Sequence, residues 1–148
     1  MFIYFLGTRT TIDWKEIHAF AKSKGLKIVY VASQGQVDKF KHTKATIHQW
    51  LSLISHAEYV LTNSFHGTVF TLLFGRKFMV YPVTGVAVKM NDRITTLLRP
   101  LGLTHHIYSD NIRAIEENID YAEVHSIIQK QSIRSRQLLK DWTQCENR

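Results

Sequence analysis

The sequence predicts a three-layer α/β domain built on a mostly parallel sheet. Two observations carry that expectation: short apolar runs alternate with amphipathic helical segments along the chain, and the runs are continuously apolar, as strands buried on both faces are. Phe2–Leu6 is the first such run, ending at Gly7. Asp13, Trp14, Ile17, Phe20 and Ala21 then recur at helical spacing up to Gly25, a natural stop. Residues 27–31 hold a second strand, Ile28-Val29-Tyr30-Val31. After the polar stretch 33–44, Ile47, Trp50, Leu51 and Ile54 fall on one face of a helix.

Residues 58–62 are a third strand, and Phe65–Phe74 an apolar helix stopped by Gly75. Residues 77–81 are a fourth strand, closed by Pro82, and residues 82–90 a loop rich in small residues. Ile94, Leu97, Leu98 and Leu101 repeat the helical spacing before Gly102, and His106–Tyr108 reads as a last short strand. A long polar helix over about 120–145 follows, with Val124, Ile127, Ile128, Leu138, Leu139 and Trp142 as its apolar face. Strand–helix alternation calls for right-handed crossovers and helices on both sides of the sheet, a Rossmann-like arrangement. With no repeat, low-complexity tract or internal linker, residues 1–148 are expected to form one domain.

Composition narrows the function. At 148 residues and 45% hydrophobic, the chain can bury one ordinary core. Its longest apolar stretch, around Val69–Phe74, is too short for a membrane span, and the N-terminus lacks the pattern of a signal peptide. Cys145 is the single cysteine, so neither an internal disulfide nor a cysteine zinc site is available, and an intracellular, cytoplasmic location is expected. The net charge of +7 is spread evenly, with no basic stripe interleaved with exposed aromatics, which argues against nucleic acid and for small anions or acidic glycans. Lys39, Lys41 and Lys44 with His42 read as a solvated loop.

In open parallel sheets, ligands bind beyond the carboxyl ends of strands, so the loops after Leu6, Val31, Thr62 and Tyr81 matter most. The first, Gly7-Thr8-Arg9-Thr10, lacks the further glycines of a dinucleotide fingerprint, and there is no phosphate-loop sequence. No histidine pair has metal-binding spacing; His105 and His106, if extended, point to opposite faces. No metal and no cofactor is expected, and no carboxylate pair suits glycoside hydrolysis.

The loop after the third strand is different: Thr62-Asn63-Ser64-Phe65-His66-Gly67-Thr68 runs straight into the apolar helix. Ser64 is a natural N-cap, and the unpaired N–H groups of the first turn make an anion site. Gly67 would let a ligand approach the backbone. His66 adds a ring able to hold the same anion or to move a proton near neutral pH. On these residues alone, a capped helix with a half-buried histidine is the favoured explanation of the pattern.

Residues 57–70, Ala-Glu-Tyr-Val-Leu-Thr-Asn-Ser-Phe-His-Gly-Thr-Val-Phe, followed by Leu73-Phe74-Gly75-Arg76-Lys77-Phe78, resemble the signature of the polysaccharide pyruvyl transferase family, with Ser-Phe-His-Gly its most specific piece. Tyr4-Phe5-Leu6-Gly7, Met90-Asn91-Asp92-Arg93-Ile94 with Leu97-Leu98, and Ile119-Asp120-Tyr121 add support in the same order. What the chain resembles is the C-terminal, donor-binding half of proteins similar to two-domain GT-B glycosyltransferases.

The resemblance implies transfer of a pyruvyl group from phosphoenolpyruvate to two sugar hydroxyls, giving a cyclic ketal and phosphate in bacterial exopolysaccharide or cell-envelope glycan synthesis, at the inner face of the membrane. It implies His66 as the catalytic residue, and Asn63, Ser64, Phe65, Gly67, Thr68 and Arg93 as substrate-binding residues. Arg93 has a guanidinium suited to a bidentate grip on carboxylate or phosphate; the plain alternative is a solvated first-turn arginine. Partners implied are phosphoenolpyruvate, a glycan acceptor, and a second domain or protein completing the cleft. A non-catalytic anion- or glycan-binding homologue, or the C-domain of a nucleotide-sugar glycosyltransferase, are the alternative readings.

Overall fold

The computed structural model describes residues 1–7, 12–32, 40–85 and 88–145. Four strands, β1 (Phe2–Phe5), β2 (Val29–Ala32), β3 (Tyr59–Thr62) and β4 (Lys77–Val80), form one parallel sheet in the order β2-β1-β3-β4. The pairing is in register over whole strands: Phe2 lies opposite Val29 on one side and Val60 on the other, and Val60 opposite Phe78. Between them run α1 (Trp14–Ser23), α2 (Ile47–Ser55) and α3 (Phe65–Leu73); α4 (Met90–Leu98) and α5 (Tyr121–Cys145) follow β4.

The period-2 geometry of the strands sorts their side chains into two cores. Phe2, Val60, Phe78 and Val80 point to one face, where they pack with Ile54 of α2, Leu72 of α3, Ile94 and Leu98 of α4 and Val124 of α5. Ile3, Phe5, Tyr59, Leu61, Met79 and Tyr81 point to the other, where Ile17, Phe20 and Ala21 of α1 and the 3-10 turn Ile112–Glu116 cover them. Helices on both faces of a parallel sheet give the three-layer, Rossmann-like fold that the sequence predicts.

The helix starts follow local chemistry. Asp13 caps α1, its carboxylate accepting from the N–H of Lys15 at 2.9 Å and of Glu16 at 3.1 Å. Thr46 and Gln49 form a reciprocal capping box at the start of α2. Glu16 then ties the far side of the sheet together, accepting from the Tyr108 hydroxyl at 2.8 Å and the Ile112 N–H at 2.9 Å.

Residues 106–108 depart from the expected strand. Thr104–His106 is a 3-10 turn, and Ile107 makes only an isolated parallel bridge to Val80. The physical reason is His106: its buried ring stacks on Phe78 and its Nδ1 lies 3.0 Å from the Phe78 carbonyl, which needs a turn rather than an extended backbone. His105 and His106 are consequently not on opposite faces; their ring centroids lie 4.4 Å apart. The helix expected to run to Leu101 ends instead at Leu98 and tightens into a 3-10 turn containing Pro100. Thr8–Thr10 of the first loop, and Lys39 of the basic cluster, lie outside the described residues, while Lys41 and Lys44 are exposed as expected.

Candidate functional site

The strand order places a switch point between β1 and β3, because the chain moves from β1 outward to β2 and then returns to β1's other side. The carboxyl ends of these two strands are locked together by side chains of the loop after β3. Asn63 reaches across to both backbone groups of Leu6. Thr62 Oγ1 donates to the Tyr4 carbonyl at 2.8 Å and accepts from the Ser64 N–H at 3.0 Å. The start of α3 is therefore seated on the sheet before any ligand arrives.

Ser64 caps α3 as expected, from an extended backbone (φ −93°, ψ 130°), its Oγ accepting from the Gly67 N–H at 3.2 Å. The Ser64 carbonyl accepts from both the N–H and the hydroxyl of Thr68. Of the first-turn amides, those of Phe65 and His66 have no hydrogen-bond partner among the described residues. Two free donors at the positive end of a helix dipole remain for an anion.

Ser64 and His66 border a cleft of about 670 Å³ at the carboxyl end of the sheet. Its polar lining comes from Ser64, the exposed His66 and the capping Thr46 of α2. The rest is apolar, with Tyr4 and Leu6 from β1, Val31 and Ala32 from β2, and Trp50 and Phe70 from the flanking helices. The Trp50 ring meets Tyr4 edge-on at 5.2 Å and Phe70 at 5.6 Å. Burial against this wall pushes the Tyr4 hydroxyl above the ordinary tyrosine range.

The sequence-derived residues separate on this geometry. His66 lines the cleft and is exposed, not half-buried. Ser64 borders the cleft and organises the donors. Asn63 and Thr68 are buried, with side chains engaged on Leu6 and on the Ser64 carbonyl, so they hold the loop's shape. Gly67 does not open the backbone to a ligand: a Cβ there would stand 2.6 Å from Thr62 Oγ1, so glycine is required for α3 to sit on β3. Phe65 is half-buried and carries the Arg93 guanidinium 4.4 Å above its ring. Arg93 does not border the cleft, and among the described residues it is paired with no acid; its contact is this aromatic face.

Tyr4, Thr46, Trp50 and Phe70 belong to the cleft and were not anticipated as site residues. The capping box Thr46-x-x-Gln49 before an apolar helix was a readable signal for the second helix start. No group of three or more metal-ligating side chains occurs among the described residues.

A four-stranded parallel sheet with helices on both faces, and a cleft at its carboxyl end, define a Rossmann-like α/β domain. The family model for polysaccharide pyruvyl transferase matches residues 4–84, from β1 through the loop after β4. The chain belongs to that family. The match contains the whole of the Ser64–His66 site, whereas Arg93 lies beyond it. Searches of curated proteins and of solved structures return no match to this chain.

Proposed function

We propose that this chain carries the donor site of a pyruvyl transferase, binding phosphoenolpyruvate at the start of α3 and delivering its pyruvyl group to two hydroxyls of a glycan. The observation that carries the reading is that the Phe65 and His66 amides have no partner among the described residues at the start of α3, where His66 lines the cleft. Phosphoenolpyruvate presents a phosphate and a carboxylate, which need converging donors. Its conversion requires a proton at the enol methylene, loss of protons from the two attacking hydroxyls, and departure of phosphate. An exposed imidazole beside the anion's donors is placed to serve a proton step. Family membership supports a glycan acceptor, and the product would enter exopolysaccharide or cell-envelope glycan synthesis.

The cleft exceeds what so small and polar a donor fills, and its remaining wall of Tyr4, Trp50 and Phe70 suits the less polar face of a sugar. In this reading a further domain or protein supplies the opposite wall, because ketal formation needs both hydroxyls held at reaction distance. In the same reading Arg93, whose guanidinium rests on Phe65 outside the cleft lining, serves as a further contact for the anion.

Calorimetric titration with phosphoenolpyruvate, pyruvate and inorganic phosphate tests the donor assignment. Tighter binding of phosphoenolpyruvate than of either fragment is expected. Equal binding of phosphate and phosphoenolpyruvate would reduce the site to a general anion site, and no binding of any of the three would remove it.

A further inference from the structure

Helix α5 is 25 residues long, or about 37 Å, yet among the described residues only its first turns join the core. Tyr121, Val124, Ile127 and Ile128 join the core, and His125 Nε2 lies 2.9 Å from the Leu72 carbonyl. From residue 129 to 143 every side chain except that of Ser132 is exposed. That stretch still carries Leu138, Leu139 and Trp142, exposed by 56%, 65% and 78%. They do not form a new face. Tyr121, Val124, Ile128, Gln131, Ser135, Leu138 and Trp142 follow one another in alternating steps of three and four residues, the spacing of a two-helix seam. The face that docks on the domain therefore continues uncovered past the domain's edge, polar at Gln131 and Ser135 and apolar again at Leu138 and Trp142, while Ile133, exposed by 60%, lies on the opposite side of the helix.

We infer that residues 131–142 of α5 form an interface between two copies of this chain, paired as antiparallel helices. The position of the face speaks against a lipid surface: it is the side of α5 on which the domain stands, so a flat bilayer laid along it would run into the domain. The charges select the partner and its direction. In the heptad set by Val124 and Ile128, Lys130, Arg136 and Lys140 fall on the outer side of the helix, away from the seam. Only Arg134 and Asp141 flank it, both at the same heptad position.

Antiparallel pairing sets that position against its own counterpart, so Arg134 of each copy meets Asp141 of the other, twice by symmetry. Parallel pairing would set Arg134 across from Leu139 instead. Antiparallel pairing also brings Leu138 over Ser135 and Trp142 over Gln131, large side chains onto smaller ones, so the polar middle of the seam is covered by the apolar end of the second copy. The inference is independent of what the cleft binds.

Sedimentation equilibrium of the full 148-residue chain over about 1–200 μM tests it. A monomer–dimer equilibrium is expected. Leu138→Ser with Trp142→Ser should leave a monomer of unchanged helicity and melting temperature, since both residues are exposed and neither belongs to the core of the described residues. Arg134→Asp and Asp141→Arg should each weaken the dimer roughly tenfold, and the double exchange should restore it to within about twofold. A chain monomeric throughout, or a dimer indifferent to Leu138 and Trp142, overturns the proposal. So does loss without rescue in the charge exchange, which would deny the antiparallel direction. A monomer that co-sediments with phosphatidylglycerol vesicles only when Trp142 is intact would assign the face to lipid and overturn it as well.

Discussion

The Asn63 side-chain amide holds Leu6 from both sides, its Oδ1 accepting from the Leu6 N–H at 2.7 Å and its Nδ2 donating to the Leu6 carbonyl at 2.9 Å. One side chain thus fastens the ends of β1 and β3 at the switch point. Asn63→Ala should cost about 2–3 kcal/mol, from two lost bonds and the buried backbone groups left behind. Asn63→Asp keeps the acceptor, loses the donor and adds a buried charge, so it should not be milder. Urea unfolding of the three proteins measures this, and a loss below about 0.5 kcal/mol in Asn63→Ala would show that the strand ends need no clamp.

Gly67→Ala should be destabilising for a reason that has nothing to do with ligand. The new methyl meets Thr62 Oγ1, which cannot turn away without giving up its bonds to the Tyr4 carbonyl and the Ser64 N–H. About 1–3 kcal/mol is expected. In a double-mutant cycle, Thr62→Ala combined with Gly67→Ala should cost less than the two losses added, because the clash disappears with the hydroxyl. Strict additivity would place the strain elsewhere.

His66→Ala should separate stability from binding. The residue is exposed and its ring meets that of Phe65 edge-on, with centroids 5.8 Å apart, so unfolding free energy should change by no more than about 0.5 kcal/mol. A hydrogen bond to a charged ligand is worth about 1.5–3 kcal/mol, so affinity for phosphoenolpyruvate should fall roughly ten- to hundredfold. Unchanged affinity in the calorimeter would take His66 out of the donor site.

His106 makes the fold acid-sensitive. Its ring is wholly buried, and burial, aided by the neighbouring His105, holds its pKa below the usual histidine value despite the opposing Phe78 carbonyl and Glu117. The unfolded chain therefore takes up this proton first. Stability contributed by the neutral ring is intact above the ordinary histidine pKa of about 6.5 and is lost as pH falls below it, levelling off only beneath the depressed folded value. Between pH 7 and 5 the slope of unfolding free energy should be steeper in the native chain than in His106→Phe, by at most about 1.4 kcal/mol per pH unit. Parallel curves would assign the acid sensitivity to other groups.

Much of this arrangement was written locally. The strands β1 to β4 are short, mostly apolar runs, β1, β3 and β4 closed by Gly7, the capping Ser64 and Pro82 and β2 by a polar stretch, and their positions follow within a residue or two. The Ser64 cap was legible because capping is a contact over three residues. What was not legible is whatever depends on distant partners. Asn63 looks like a ligand residue until Leu6 is brought beside it, and Gly67 looks like an open approach until Thr62 lies beneath it. Trp50 and Tyr4 meet only because β2 and β3 take opposite sides of β1, so no local pattern joins them. The apolar face of α5 was readable along its length, but not that the domain ends before Leu138 does.

The central place of β1 in the sheet has a kinetic consequence. Phe2 pairs with Val29 on one side and Val60 on the other, so the strand Phe2–Phe5 acquires its second neighbour only after two crossovers have closed. Loop closure must precede any reward from such distant pairing, and folding by this route is slower than in a bundle of local contacts. During that interval Phe-Ile-Tyr-Phe is an unpaired, uncharged, aromatic strand with both edges open, the kind of segment that associates with others of its own kind. Refolding yield should accordingly fall with rising protein concentration, and the aggregates formed early in refolding should contain this segment.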